Sequence, residues 1–126
     1  PYPQAEEFFR RMVFNVVACN QDDHTKNISF LMDQTGKWSL SPAYDMSWAY
    51  NSNGIWTQTH QMSIRGKQKD ITREDVLEVA RQMNIKRPNE LIDQVVDAAS
   101  QWQQLAMQYP IPIEIIDHIQ STHQYL

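Results

Sequence analysis

The sequence predicts a mainly α-helical unit that carries one small β-hairpin. Three observations predict it. Apolar residues recur at spacings of three and four through most of the chain, the period of helices with one buried face. One stretch, residues 28–40, instead surrounds the turn Asp33-Gln34-Thr35-Gly36, as a hairpin requires. Hydrophobic residues make up 41 % of the 126 positions and charged residues 21 %, a balance that sustains a core and argues against disorder.

The first helix is predicted over residues 5–19. Phe8, Phe9, Met12, Val13, Val16 and Val17 form its apolar face, and Glu6 and Glu7 stand at its start, where acids complement the helix dipole. Gln21-Asp22-Asp23-His24 has no apolar period and ends it near Asn20. Strands follow at 28–32 and 37–40, with Gly36 supplying a positive φ in the turn and Pro42 ending the ladder. Residues 46–70 read as irregular, apart from a short strand at 61–64 and a basic loop at 65–69.

Thr72 and Asp75 are spaced as a capping box, and Val76, Leu77, Val79, Ala80 and Met83 supply the face of the helix they open. Pro88 suits the first turn of a longer helix reaching Gln108, with Leu91, Ile92, Val95, Val96, Ala99, Trp102, Leu105 and Ala106 buried. Pro110 and Pro112 break it. A last helix at 113–122 is expected to bury Ile115, Ile116 and Ile119.

Composition also excludes some functions. With 15 acids against 11 bases and a net charge of −4, the chain has no general electrostatic reason to bind nucleic acid or an anionic membrane. No apolar run approaches the roughly 18–20 residues of a membrane span. Cys19, the single cysteine, cannot staple the fold, and no signal-peptide pattern precedes it, which fits a reducing cytoplasm. The chain opens on Pro1 in a helical pattern, so residues 1–126 are expected to be the C-terminal piece of a longer protein.

The unusual residues gather at the hairpin. Asp22, Asp23, His24, Lys26 and Asn27 lie just before its first strand and Asp45 just after its second. A hairpin brings its ends together, so Asn27 and Asp45 are expected to be neighbours with Asp22 one loop away. Phosphoryl transfer from ATP uses such a set: an aspartate for the attacking hydroxyl, and an asparagine and a second aspartate as hard oxygen ligands for magnesium. The spacing Asp22 to Asn27 is the Asp-x-x-x-x-Asn of kinase catalytic loops, whereas Asp23 to Asn27 is not. Each residue alone is equally at home in a turn or cap.

Asn20-Gln21-Asp22-Asp23-His24-Thr25-Lys26-Asn27-Ile28-Ser29 resembles the catalytic loop of the HipA-like serine/threonine kinases, the toxins of bacterial toxin–antitoxin modules. Leu40-Ser41-Pro42-Ala43-Tyr44-Asp45 resembles that family's magnesium-binding segment. Asp-x-His-x-x-Asn is also similar to the loop of phosphatidylinositol-3-kinase-like enzymes. The resemblance implies a protein-kinase-like C-terminal lobe, with Asp22 as catalytic base and Asn27 and Asp45 as magnesium ligands. It implies that His24, Lys26 and Tyr44 line the ATP phosphates and base. Cys19 stands where many relatives have glycine, and Asp45-Met46-Ser47 replaces Asp-Phe-Gly.

The chain's three glycines, Gly36, Gly54 and Gly66, form no phosphate loop, so the N-terminal lobe is expected to lie outside this chain and the chain alone to be inactive. The resemblance further implies a HipB-like DNA-binding antitoxin as partner and a protein substrate such as an aminoacyl-tRNA synthetase, with no nucleic acid bound through this lobe. Two other readings stay open: an inactive lobe that only holds the antitoxin, and a metal-dependent hydrolase using Asp22, Asp23, His24 and Asp45. Arg65, Lys67, Lys69 and Arg73 read as a solvated basic cluster or a contact for an acidic partner. Trp48, Tyr50 and Trp56 read as a lid over the core or a partner-binding surface.

Overall fold

The computed structural model describes residues 2–126, and Pro1 lies outside the described residues. Its helices are α1 (Tyr2–Val17), α2 (Arg73–Gln82), α3 (Pro88–Ser100), α4 (Trp102–Ala106) and α5 (Ile113–Thr122). Between α1 and α2 lies one antiparallel pair, β1 (Phe30–Met32) and β2 (Trp38–Leu40), in the register Phe30 opposite Leu40 and Met32 opposite Trp38.

The core is built on α1. Phe9, Val13, Val16 and Val17 pack with Val76 and Ala80 of α2, with Leu91, Ile92 and Val95 of α3, and with Ile64, Ile71 and Ile85 from the connections. Fully burying an aliphatic or aromatic side chain of this size contributes about 1.5–3 kcal/mol. Helix α1 starts three residues before the predicted position, because Pro3 in a first turn has no N–H to leave unpaired. Glu6 and Glu7 therefore do not complement the dipole. They fall in the second turn and pair with Arg10 and Arg11 at 2.8–3.4 Å.

The hairpin turn is held by Asp33, whose Oδ1 accepts from the Thr35 hydroxyl and from the N–H groups of Thr35 and Lys37. Gly36 has φ +84°, as the turn requires. Gln4 Oε1 on α1 accepts from Leu40 N–H, and Arg11 donates to the Ser41 carbonyl at 2.9 Å, so the hairpin is tied to α1 by polar bonds. Its apolar side chains Phe30, Leu31, Met32 and Trp38 remain exposed.

The predicted strand at 61–64 does not form. Ile64 and Lys67 exchange two backbone bonds of 2.9 Å around Arg65 and Gly66, both at positive φ. That two-residue turn leaves one bridge and no ladder. The basic cluster is largely exposed, as expected of a solvated loop, but three of its four members also pair with the fold. Arg65 and Lys67 reach the buried Asp75 at 3.2 and 2.8 Å. Arg73 is spent on Asn89, Asp93 and the Leu126 carbonyl. Asp75 completes the predicted capping box with Thr72, and Asn84 at φ +55° closes the other end of α2.

The predicted helix over 88–108 is two helices. Gln101, at φ −84° and ψ 0°, interrupts it, next to Ser100, whose hydroxyl donates back to the Asp97 carbonyl. The bend lets the Trp102 indole donate to the Ile116 carbonyl of α5 at 3.1 Å. On α5 Ile116 and Ile119 are buried, whereas Ile115 is exposed, contrary to the expectation. Trp48 donates to Thr122 Oγ1 at 2.8 Å and so closes the fold, while Trp56 faces solvent. Among the described residues no helix is long and apolar enough to cross a membrane.

Candidate active site

The site begins where α1 ends. Cys19 N–H bonds the Val16 carbonyl and Asn20 N–H the Asn15 carbonyl, the paired bonds of a left-handed helix stop. Cys19 takes the left-handed position at φ +57°. This explains why glycine suits that position: it carries no Cβ to clash there. The Cys19 side chain is buried, and burial pushes its thiol up to about 11 against an opposing hydrogen bond with Thr122.

The reversed chain runs beside the segment that follows the hairpin. Gln21 N–H donates to the Ala49 carbonyl at 2.9 Å, and Ala49 N–H to the Cys19 carbonyl at 3.1 Å. Asn20, fully buried, donates to Asn15 Oδ1 at 2.9 Å and to the Asp45 carbonyl at 3.4 Å. Asp45 is therefore fixed through its backbone, at a left-handed φ of +54°. No protein donor is bonded to its carboxylate among the described residues.

Thr25–Asn27 forms a single 3₁₀ turn in which Asn27 N–H bonds the His24 carbonyl. The Asn27 side-chain amide donates to the Asp22 carbonyl at 3.1 Å. The amide nitrogen is thus occupied and the oxygen is left to accept or to ligate.

Asn27, Asp45 and His24 line one pocket, together with Asn15, Asn20 and Asp23. Phe8, Met12, Met46, Met62 and Ile64 give it apolar walls. Asp22 stands beside this pocket, half exposed, with its carboxylate 3.8 Å from His24 Nε2. Lys26 and Tyr44 are outside the lining. The Lys26 side chain is exposed, and the Tyr44 hydroxyl donates to the Lys26 carbonyl at 2.7 Å.

Asp23 behaves differently from its neighbours. It is buried, with Oδ2 2.9 Å from His60 Nδ1 and Oδ1 accepting from Gln61 N–H at 2.8 Å. Both carboxylate oxygens are committed inside the protein. Among the described residues no three His, Cys, Asp or Glu side chains converge to hold a metal. Sequence reasoning missed His60 altogether, because it lies in an irregular stretch with no periodic signal.

The chain's residues 1–103 match the family model of the HipA-like C-terminal domain. The chain belongs to that family. The match takes in the whole pocket and ends within α4, so the second half of α4, α5 and the tail lie beyond it. No curated protein matches the chain.

Two of the domain's oxygen donors fit a magnesium ion. Asn27 Oδ1 and the Asp45 carboxylate share one pocket, are hard ligands, and are not bonded by protein donors among the described residues. Two ligands alone hold magnesium weakly. That is normal for an ion completed by water and substrate phosphates.

Proposed function

We propose that this domain is the C-terminal lobe of an ATP- and magnesium-dependent serine/threonine protein kinase, the toxin of a HipA/HipB-type toxin–antitoxin module. The observation that carries the reading is the pairing of Asn27 and Asp45 in one pocket, with Asp22 at its edge. Asn27 and Asp45 would hold the magnesium, which neutralises phosphate charge when bound. Asp22 is placed to orient the attacking hydroxyl and accept its proton as the hydroxyl oxygen bonds phosphorus and the ADP oxygen leaves. His24 lies between this carboxylate and the pocket, where its imidazole can approach a phosphate. Lys26 and Tyr44 act from outside the lining: the lysine as an exposed cation, the tyrosine as a brace for the loop.

The hydrolase reading loses its ligand set, because Asp23 is spent on His60 and Gln61. The inactive-lobe reading has no support in the pocket, where both magnesium ligands are present and accessible. The antitoxin partner, an aminoacyl-tRNA synthetase as substrate and a cytoplasmic location belong to this proposal and rest on family membership.

Calorimetric titration of the full-length protein tests it. Magnesium should bind weakly alone and tightly with ATP present. Tight zinc or manganese binding without nucleotide would instead restore the hydrolase, and no nucleotide-linked metal binding would restore the inactive lobe.

A further inference from the structure

The buried pair Asp23–His60 lies outside the reacting groups, yet it joins the two segments that shape the pocket. We infer that Asp23 and His60 are positioning residues, a latch that aims Asp22 and His24 toward the site. This rests on the kinase reading for its activity arm only.

The argument is geometric. Residues 21–24 have no helical or turn structure, and burial alternates along them: Gln21 and Asp23 are buried, Asp22 and His24 half-buried. In an extended segment neighbouring side chains point to opposite sides, and residues two apart share a side. Fixing Asp23 on His60 therefore constrains its two neighbours, Asp22 and His24, together, and their side chains lie 3.8 Å apart. An ionised carboxylate only accepts, so facing one His60 Nδ1 carries the proton, and the bond holds the imidazole against the carboxylate. His60 is 4 % exposed, so the bond is shielded from water.

The same latch places the opposite wall. Gln61 N–H is held on Asp23, His60 N–H on the Gln68 carbonyl, and Arg65 and Lys67 on Asp75. Met62 and Ile64, between these anchors, line the pocket. Four tethered residues among the eight from His60 to Lys67 hold the strap in place.

The test uses the full-length protein and four variants. His60→Ala should lower kcat roughly tenfold or more while KM for magnesium–ATP stays within about twofold, because positioning is lost and the ligands Asn27 and Asp45 are not touched. Asp23→Ser, which removes the buried charge and keeps an acceptor for Gln61, should do the same and is the variant to rely on if His60→Ala does not fold. Asp23→Asn should retain most of the rate, since its amide can donate to His60 in the other tautomer. Unchanged kcat in Asp23→Ser overturns the latch. Asp22→Asn is the control on the kinase reading: full activity there removes Asp22 as base whatever the latch variants do. A crystal structure of Asp23→Ser reads the latch without activity. Asp22 and His24 should leave their shared orientation, and unchanged positions would overturn the proposal.

Discussion

The Asn27 side chain holds the backbone carbonyl of Asp22, not its carboxylate, at 3.1 Å. The five-residue spacing of the two thus closes a loop through the main chain and leaves both functional ends free: the Asp22 carboxylate at the rim and Asn27 Oδ1 in the pocket. The two residues are one structural unit with separable chemistry.

Asp22→Asn should therefore be silent in stability and severe in activity. The carboxylate caps no helix, and the 3₁₀ turn that follows has no side-chain cap. Thermal or urea unfolding should stay within about 0.5 kcal/mol of the parent, as for a surface substitution away from special features. Phosphoryl transfer in the full-length protein should fall roughly 10²–10⁴-fold. A stability loss near the 0.5–2 kcal/mol of a lost cap, with activity intact, would make Asp22 a structural residue.

Asn27 and Asp45 should respond differently to magnesium. Asp45→Asn removes ligand charge while its backbone stays anchored to Asn20, so raised magnesium should recover part of the rate. Asn27→Ala removes a ligand and also releases the Asp22 carbonyl. Its rate, reduced by roughly 10²-fold or more on the scale of a lost preorganised group, should stay low at any magnesium concentration. Equal rescue of the two variants would show that the bond to Asp22 has no catalytic consequence.

Acid should test Asp75. The Lys67 ammonium first, then the Thr72 N–H and hydroxyl, hold its carboxyl well below the usual 3.8, against the opposing effect of burial. Because the folded state depresses this pKa, its contribution is complete above the unfolded value and fades as pH falls below it toward the folded value. Comparison of urea midpoints for the parent and Asp75→Asn should show a gap at pH 7 that narrows below about pH 4. A gap that widened on acidification would contradict the sign.

Cys19 makes two predictions through one side chain. With its thiol pushed up to about 11 by burial, it should resist a thiol reagent at pH 7.5 in the native state and react at once in denaturant. Cys19→Val should cost about 1–2 kcal/mol, because a β-branched side chain is poorly accommodated at φ +57°. Rapid native labelling would show that the end of α1 opens readily.

Much of the fold was legible because it is periodic. Phe9, Val13 and Val16, the capping box at Thr72 and Asp75, and the turn at Gly36 each carry a local signal. The errors have nonlocal causes. The helix break at Gln101 accompanies the docking of the Trp102 indole on α5, and Ile115 is exposed because α5 presents only Ile116 and Ile119 to the fold. In the site, the Asp22–Asn27 spacing and the neighbourhood of Asn27 and Asp45 were readable from the hairpin. The role of Asp23 was not, since its partner His60 is 37 positions away. The one available signal was two adjacent aspartates in an extended loop, of which only one can face outward.

The family match stops at residue 103, but the molecule does not come apart there. The Ile116 carbonyl and Thr122 hydroxyl anchor Trp102 and Trp48, and Gln124 N–H covers the Val17 carbonyl at the end of α1. The end of the family match is therefore not an edge of the packed structure. Cutting there would strip two indoles of their hydrogen-bond acceptors and leave the Val17 carbonyl at the end of α1 uncovered, so a chain ended at residue 103 should be less stable than one that keeps α5 and the residues just after it.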